Sequence, residues 1–553
     1  MTSTVASPLT DRTIPKSGGP LTGTGILVRF MLRRDRVRLP VWILAIVLFT
    51  MASVVALPDL YPTVEDRQAR AVLMENPGTR AVSGPGYGLD DYTFGAMLSH
   101  EFLSWVVIFV ALMSLLAVVR HTRNEEETGR AELVRSSLVG RHSTTTAALL
   151  VVVGANVVLG LLMALGLGSL GLESVGWGSS VLFGAATASV GLVFAGFGAV
   201  TAQVSESARG ASGFAGAVFA LAYLLRAAGD MTQVGGGLLS WLSPVGWAQQ
   251  TRAYVDDRWW PLLLSGALTV VLAALAFWLS TRRDVGAGLM EARPGPPNAS
   301  RTLSGTFGLA WRLHRSSVIW WSLSVFLFAL GYGTLATEVE RFVSELSVLQ
   351  DAIAEIGGTI IDAWLSVVVL IFAVVAAVFS VLAALRARSE ENNGHAEPVL
   401  STAVSRPGWL GSHLAVALIG SALLMSLTGL GLGISASQAL GDGDMLWRVL
   451  GASLAHIPAI WLVASIAVAL FGLMPRATVL VWVVIAYVGV VGWLGALLRF
   501  PDWAINLSPL GHTPLLPAED MVWAPFVVLT VAAAVLIVAG LAGFRRRDLQ
   551  STA

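Results

Sequence analysis

The chain has 553 residues, of which 55% are hydrophobic and only 13% are charged, and its 35 basic and 35 acidic residues cancel. Soluble domains carry about 25% charged residues, so this composition excludes an ordinary soluble protein and indicates an integral membrane protein. The chain has no cysteine, which excludes disulfides and thiolate metal sites, and we expect no bound metal and no nucleic-acid partner.

The N-terminal region is polar up to about residue 25 and lacks the apolar segment of a cleaved signal peptide. Residues 22–38 mix apolar side chains with arginines, which predicts an amphipathic helix lying on the inner leaflet. A counterpart, residues 307–315, follows 281 positions later. The two interface helices are defined by Arg29, Arg33, Arg34 and Arg36 in the first and by Leu313 and Arg315 in the second.

Uncharged apolar runs long enough to cross a bilayer predict an all-α membrane protein of about twelve transmembrane helices in two homologous six-helix halves. The predicted spans are residues 39–57, 99–119, 147–169, 181–204, 210–228, 261–280, 318–336, 364–385, 414–437, 449–474, 478–498 and 524–544. Arginine clusters before the first run, after the second and after the last place these regions in the cytoplasm. We therefore expect a multi-pass membrane protein with both termini cytoplasmic.

Two connecting segments have a composition of their own. In the loop of residues 58–98, the stretch 64–75 is predicted to form a short amphipathic helix outside the membrane. The Pro/Gly tract of residues 293–298 cannot continue a helix and predicts a linker. The expected regions are a cytoplasmic N-terminus (1–38), a first six-helix half (39–284), the linker with the second interface helix (285–317) and a second six-helix half (318–553).

An acidic motif recurs after the second span of each half. Residues 125–132 read EEETGRAE and residues 390–397 read EENNGHAE, so the two copies lie 265 positions apart. Arg141 and Arg406 keep the same spacing, and so do the two Ser-Pro-x-Gly motifs that precede the sixth span. A register kept over this distance indicates two related halves fused head to tail.

Each acidic motif leads into a short predicted helix, and Gly129 or Gly394 permits the turn between them. We interpret the two loops as exposed knobs that dock into a groove on a soluble partner, so that substituting Glu126 or Glu132 costs little stability. The alternative is a solvated loop that only sets the topology. Retention of the motif in both halves favours docking. The first copy has the fuller acidic pattern, so we expect it to contribute more to docking than the second copy.

These features resemble the coupling-helix region of ABC-2 type exporter permeases, as do the six-span halves and the amphipathic helix before span 1. Over nearly its whole length the chain resembles the fused, double-length permeases of actinobacteria, the tetronasin-resistance-like multidrug exporters. The motifs that carry this resemblance are RRDRV at residues 33–37, RHTR at 120–123, DRWW at 257–260 and RRRD at 545–548.

The resemblance implies a subunit of the bacterial plasma membrane that is driven by two copies of a cytoplasmic ABC ATPase, with membrane lipid and a hydrophobic or amphipathic drug as its other partners. ATP and magnesium would be bound by the ATPase, and this chain would hold no cofactor. The implied ATPase-coupling residues are Glu125, Glu126, Gly129, Glu132, Leu133, Arg141, Glu390, Glu391, Gly394, Glu397 and Arg406. Candidates for the substrate path, on the second and fifth spans, are Glu101, Trp105, Phe219, Tyr223, Arg226, Trp364, Trp482 and Trp493.

Missing motifs agree with this interpretation. The chain lacks the glycine-rich loop with lysine that holds nucleotide phosphates, and its only lysine, Lys16, lies in the polar tail. ATP hydrolysis therefore requires another polypeptide, and no catalytic residue is predicted in this one. No carboxylate is predicted near mid-membrane, where a proton-driven carrier needs one. His456, in the middle of span 10, is interpreted as hydrogen-bonded to a neighbouring helix.

Two alternatives stay open. A proton-coupled secondary drug carrier of the major-facilitator type also has about twelve spans in two halves, although its usual Gly-x-x-x-Asp-Arg loop after span 2 is absent. A non-transporting scaffold or a lipid-modifying membrane protein is disfavoured by the lack of a catalytic cluster and by the large duplicated core.

Overall fold

The computed structural model describes residues 19–284, 286–290, 297–300, 303, 305–337, 359–494, 501–519 and 521–549. Within these ranges the chain is almost entirely helical, as predicted, and extended pairing is confined to an isolated parallel bridge between Ser205 and Met290. The chain divides into two compact units, Met1–Pro294 and Gly295–Ala553. Most of the predicted linker, and the last residues of predicted span 11, lie outside the described residues.

Twelve helices in the described part of the chain are long and apolar enough to cross a membrane, which confirms the predicted number. Spans 1 to 6 are Arg38–Leu60, Phe94–Glu127, Ser143–Ser169, Trp177–Val204, Ala208–Thr232 and Pro261–Ser280. Spans 7 to 12 are Thr306–Gly333, Ile360–Asn392, Arg406–Leu440, Met445–Leu473, Pro475–Gly492 and Trp523–Arg546. Most of them continue beyond the predicted apolar runs, because polar residues extend a helix past the membrane core.

Shorter helices join the spans or interrupt them. Thr24–Arg34 precedes span 1. Between the spans lie Val64–Met74, Pro77–Ser83, Leu89–Asp91, Arg130–Arg135, Leu238–Trp241, Pro244–Gln249, Ala396–Leu400, Asp502–Leu507 and Pro509–His512. Span 2 is built from Phe94–Met97, a π-helical turn Leu98–Phe102, Leu103–His121 and Arg123–Glu127. Span 8 combines Ile360–Ala384 with Arg386–Asn392, and span 11 combines Pro475–Val479 with Leu480–Leu494.

The two interface helices differ. The first, Thr24–Arg34, lies within the predicted range of residues 22–38 and ends in a turn before span 1, and Arg29, Arg33 and Arg36 are exposed. The prediction of a separate second interface helix is wrong, because residues 307–315 form the first turns of one continuous helix, Thr306–Gly333. In the first half, two side chains on span 2 hold Asp35 at the break. In the register that relates the two interface helices, the counterpart of Asp35 is Ser316, which has no carboxylate to be held, so the helix runs on.

The loop between spans 1 and 2 is folded. Its helix Val64–Met74 confirms the one predicted at residues 64–75, and a capping box fixes its start. The buried Arg80 donates hydrogen bonds to the backbone carbonyls of Asp230 (2.8 Å) and Met231 (3.0 Å) at the end of span 5. This loop therefore holds the end of span 5 that lies opposite the acidic loops.

Glycines bring helix backbones into contact in both halves. A Cβ added to Gly184 of span 4 would lie 2.2 Å from the carbonyl oxygen of Gly160 on span 3. One added to Gly472 of span 10 would lie 2.0 Å from the carbonyl oxygen of Gly540 on span 12. Small residues permit this approach, and the resulting van der Waals contact is a main source of helix association in membranes.

Span 10 is broken at His456, between Met445–Ala455 and Ile457–Leu473. Pro458, at the start of the second piece, has no N–H to continue the hydrogen-bond ladder, which accounts for the break. His456 is buried, and its Nδ1 bonds the carbonyl of Ala452 at 3.0 Å. The predicted partner on a neighbouring helix is therefore wrong, because the histidine bonds its own span.

Candidate functional site

The first acidic loop, residues 122–142, joins span 2 to span 3. We call this end of each half, where the arginine clusters lie, the arginine-rich end. Helical turns at Arg123–Glu127 and Arg130–Arg135 flank Gly129, whose φ is +72°. A residue with a side chain is strained in this left-handed conformation, so the turn requires the glycine, as predicted.

Glu126 lies in the helical turn Arg123–Glu127 of this loop, and two arginines bind its carboxylate. Arg283, just after span 6, binds both carboxylate oxygens, with Nη1–Oε2 and Nη2–Oε1 distances of 2.8 Å each. Arg123 Nη1 adds a hydrogen bond of 2.6 Å to Oε2. The side chains of Glu126 and Arg283 are only 9% and 7% exposed. A buried, bidentate pair fixes geometry as well as charge, so it clamps the loop to the end of span 6. We call this pair the first clamp.

The segment after span 6 is in turn fastened to span 4. Arg283 Nε donates to Gln203 Oε1 at 2.7 Å. The backbone N–H of Leu289 donates to the carbonyl of Gln203 at 3.2 Å, and that of Met290 to the carbonyl of Val204 at 3.0 Å. The first clamp therefore joins the ends of spans 2, 4 and 6 into one unit.

Opposite charges tie the first interface helix to the end of span 2. Arg34 pairs with Glu125, and Asp35 accepts hydrogen bonds from Arg120 and His121. Burial disfavours the Asp35 carboxylate, but the hydrogen bonds and charges of His121 and Arg120 outweigh it and hold the pKa of Asp35 below its ordinary value. The stability that this carboxylate contributes is therefore present at neutral pH and is lost as the pH falls through that lowered pKa.

Further hydrogen bonds fasten both sides of the loop. Glu127 Oε2 accepts from the backbone N–H of Ala208, at the first turn of span 5, at 2.8 Å. At the other side, Gly140 donates its N–H to the carbonyl of Thr22 at 2.9 Å, beside the first interface helix. Between these anchors, residues 127–130, 132–133 and 136–138 are exposed. The loop is thus a fixed base with an exposed tip.

The second acidic loop, residues 385–407, has an equivalent clamp. Arg547 follows span 12 and binds both oxygens of Glu391, with Nη1–Oε1 at 2.7 Å and Nη2–Oε2 at 2.6 Å. Glu126 and Glu391 occupy the same position of the acidic motif, and Arg283 and Arg547 are each the second residue of an Arg-Arg-Asp tripeptide at the end of the sixth helix of their halves. The duplication has kept both partners, and we call the pair Glu391–Arg547 the second clamp.

The surroundings of the second clamp are only partly the same. Arg547 stacks on aromatic rings, with its guanidinium carbon 4.8 Å from the ring centroids of Phe471 and Phe544. Arg406 Nη1 donates to the carbonyl of Arg547 at 2.5 Å. In the first half, Arg141 Nη2 reaches the carbonyl of Ser280 at 3.4 Å. Each of these arginines therefore bonds backbone at the end of the sixth helix of its own half.

Gly394 and Glu390 complete the second loop. Gly394 has a φ of +74°, the conformation of Gly129 in the first loop. Glu390 contacts Arg386 at 3.5 Å and His395 at 3.1 Å. The glycine turn is therefore present in both loops, whereas the charged residues that contact the acidic motif differ between them.

The tips of the two loops differ in apolar exposure. Leu133 and Leu138 are 77% and 78% exposed, next to the exposed Glu132. In the second loop Glu397 is exposed, but the apolar side chains that follow, including Val399, pack against the core of that half. The first tip therefore presents the larger apolar surface, a feature that marks contact sites.

A family model described as "Multidrug efflux system permease Rv1217c, C-terminal domain" matches residues 27–279 and again residues 303–545. The chain is also 40% identical over 544 residues to the multidrug efflux system permease protein Rv1217c of Mycobacterium tuberculosis (strain ATCC 25618 / H37Rv), with 97% of each chain covered. The chain belongs to this family of multidrug efflux permeases. The predicted resemblance to fused, double-length ABC-2 type permeases is confirmed, and the two matches place one copy of the domain in each half.

In this permease the predicted coupling residues fall into two groups. Glu132, Leu133 and Glu397 are exposed, as a docking surface requires. The prediction that Glu126 is exposed is wrong, because Arg283 and Arg123 bury its carboxylate in the first clamp. Glu391, the counterpart of Glu126 in the second clamp, is 5% exposed, so it is not an exposed residue of the loop either.

Sequence analysis missed the arginine of each clamp. Residues 282–284 and 546–548 both read RRD, at the end of the sixth helix of each half. The spacing between these two tripeptides differs by a single position from the spacing between the acidic motifs. A search of the whole chain at this spacing would have found the permease's arginines together with the glutamates that they bind.

The predicted path residue Glu101 lies in the π-helical turn of span 2 and contacts the folded outer loop. Its carboxylate binds Arg70 (Nη2–Oε2, 2.7 Å) and the hydroxyl of Tyr92 (2.9 Å). A role beside the outer mouth of a path stays a prediction.

Arg226, predicted to line the path, is fully buried in the permease's first half. It pairs with Asp230 at 3.3 Å, and its guanidinium carbon lies 4.3 Å from the ring centroid of Tyr223. Phe219 is 9% exposed and packs edge-on against Phe194. No part of the Arg226 side chain is exposed in this structure, and its place on a substrate path stays a prediction.

The predicted path tryptophans are less enclosed. Trp105 and Trp482 are 39% and 41% exposed, and Trp364 is half-buried. The side chain of Trp493 lies outside the described residues. Their place on a substrate path stays a prediction.

Proposed function

We propose that this permease is the transmembrane subunit of an ATP-driven exporter that moves hydrophobic or amphipathic compounds, such as antibiotics, out of the cell. Two copies of a separate cytoplasmic ATPase bind the ATP and magnesium, and this chain has no catalytic site of its own. The observation that carries the proposal is the design of the acidic loops, each of which has an exposed tip and a buried clamp to the sixth helix of its half.

Docking uses the exposed tips. Leu133 and Leu138 offer apolar contact area to a groove on the ATPase, and Glu132 offers a charge beside them. The second tip has fewer exposed apolar side chains and relies more on Glu397 and its polar neighbours. We therefore expect the first loop to contribute more to the affinity for the ATPase.

Transmission uses the clamps. Because the first clamp joins the ends of spans 2, 4 and 6, a displacement of the first tip moves these three helices together. The pair Arg34–Glu125 extends the same movement to the interface helix. In the second half, the pair Glu391–Arg547 transmits a displacement of the second tip from span 8 to span 12. Rigid movements of this kind, driven in each half by its own ATPase, open the path alternately to each side.

Transport is expected to depend on ATP and not on the proton gradient. The measurement is uptake of a labelled hydrophobic drug into inverted vesicles that contain the permease and its ATPase. Vanadate should abolish uptake, a protonophore should leave it nearly unchanged, and the purified permease alone should hydrolyse no ATP. Uptake driven by an imposed pH gradient without ATP would instead establish the proton-coupled carrier of the major-facilitator type.

Both acidic loops are expected to face the cytoplasm, because they lie at the arginine-rich ends. Cysteines introduced as Ser136→Cys and Ser401→Cys occupy exposed positions in a chain without cysteine. A membrane-impermeant maleimide should label both in opened vesicles and neither in intact cells. Val64→Cys, exposed in the outer loop, is the control that should be labelled in intact cells. Labelling of Ser401→Cys from outside would contradict the topology.

A further inference from the structure

A basic pocket lies at the arginine-rich end of the first half and shares no lining residue with the first clamp. It has a volume of about 540 Å³ between the ends of spans 1, 2 and 5. No carboxylate is among its described lining residues. Four arginines line it: Arg34, Arg38, Arg120 and Arg209.

Only two of these arginines are neutralised by the protein. Arg34 pairs with Glu125, and Arg120 pairs with Asp35. Arg38 and Arg209 are exposed and have neither an ion pair nor a side-chain hydrogen bond with any residue that the structure describes. The pocket therefore carries two positive charges that are available to a ligand.

The wall of the pocket on the membrane side is apolar. Leu116 of span 2 lines the pocket and is 43% exposed. It precedes Arg120 by one helical turn, so it lies about 6 Å deeper in the membrane. Val119 also lines this wall but is only 2% exposed, so Leu116 supplies most of the apolar surface. The pocket thus has a basic rim at the membrane surface and an apolar wall below it.

The second half does not repeat all the arginines of this pocket. In the register of the interface helices, the counterpart of Arg38 in the second half is Ile319. In the register of the acidic motifs, the counterparts of Arg120 and Arg209 are Leu385 and Met474. The set of arginines that lines the pocket is therefore particular to the first half.

We propose that this pocket binds an anionic amphiphile, with its carboxylate, sulfonate or phosphate between Arg38 and Arg209 and its apolar part along Leu116. Guanidinium groups pair with such oxyanions through two hydrogen bonds, and basic pockets between membrane helices attract anionic headgroups. A membrane phospholipid and an anionic cargo share this chemistry. Binding needs neither ATP nor an ATPase, so the proposal can fail or succeed independently of the exporter function.

The test removes the two unpaired charges. Arg38→Gln/Arg209→Gln breaks no ion pair among the described residues, and Arg29→Gln/Arg33→Gln removes two exposed arginines of the interface helix as a matched control. Binding of fluorescent phosphatidylglycerol to the purified full chain in a non-ionic detergent is measured against phosphatidylcholine with the same acyl chains. A second series measures binding of deoxycholate, a carboxylated steroid.

The pocket variant is expected to bind at least one anionic probe about 10- to 30-fold more weakly than the wild type, since each arginine near a membrane surface contributes about a factor of five. The control variant should stay within twofold of the wild type, and Arg38→Lys/Arg209→Lys should keep most of the binding because it keeps the charge. Loss for phosphatidylglycerol alone identifies a lipid site, and loss for deoxycholate alone identifies a cargo site. Unchanged binding of both probes to the pocket variant overturns the proposal.

Discussion

Reversing the charge of Glu126 is expected to disrupt the arginine-rich end of the first half, whereas reversing that of Glu132 is not. Glu126→Lys places an ammonium group against Arg283 and Arg123 at a side-chain position that is 9% exposed. Removing one partner of a buried ion pair costs about 3–5 kcal/mol, and the like charge adds to this loss. Glu132 is exposed, so its reversal should change the stability by less than about 0.5 kcal/mol.

The two variants are compared by membrane yield and by thermal unfolding of the detergent-solubilised chain. Glu126→Lys should give little monodisperse protein, and the isosteric Glu126→Gln an intermediate amount. Glu132→Lys should resemble the wild type in both measurements but should weaken assembly with the ATPase, because it lies on the exposed tip. If Glu126→Lys melts at the wild-type temperature, the first clamp has no structural role.

A methyl group at Gly184 is expected to force spans 3 and 4 apart, whereas one at Gly154 is not. In Gly184→Ala the new Cβ would lie 2.2 Å from the backbone oxygen of Gly160, which cannot rotate away. Overpacking of this kind costs about 1–3 kcal/mol, and more where backbone must move. Gly154 lies on the same span as Gly160, and a Cβ there meets no described atom within 4 Å.

Gly154→Ala is therefore the matched control, and it should be neutral or stabilising by up to about 1 kcal/mol because alanine favours the helix. Thermal unfolding of both variants in the same detergent separates the two cases. Equal melting temperatures would mean that the helices do not pack at backbone distance.

The helices could be predicted from the sequence because the signals for them are local. An uncharged run of about 20 residues is sufficient to identify a membrane span. Glycine within an acidic motif indicated the left-handed turn at Gly129, and the alternation of charged and apolar residues indicated the helix Val64–Met74. Each of these features is decided by residues within a few turns of each other.

The clamps could not be predicted in this way, because their partners are far apart in the chain. Glu126 and Arg283 are separated by 157 positions, and an acidic motif considered alone is typical of a solvated loop. Glu126 is buried because span 6 ends near the end of span 2, where Arg283 reaches its carboxylate. The break after the first interface helix has the same origin, since the contacts of Asp35 with Arg120 and His121 come from span 2.

Both clamps are internal to their halves, since Arg283 precedes the junction of the two units and Arg547 binds a glutamate of its own unit. A gene cut between the codons for residues 290 and 297 would therefore encode two polypeptides, each with its own glutamate, arginine and loop. At these sites, joining the two copies in one reading frame added no new bond. It allowed each copy to change independently of the other, and two of the four arginines of the basic pocket, Arg38 and Arg120, have Ile319 and Leu385 as their counterparts on the other side of the junction.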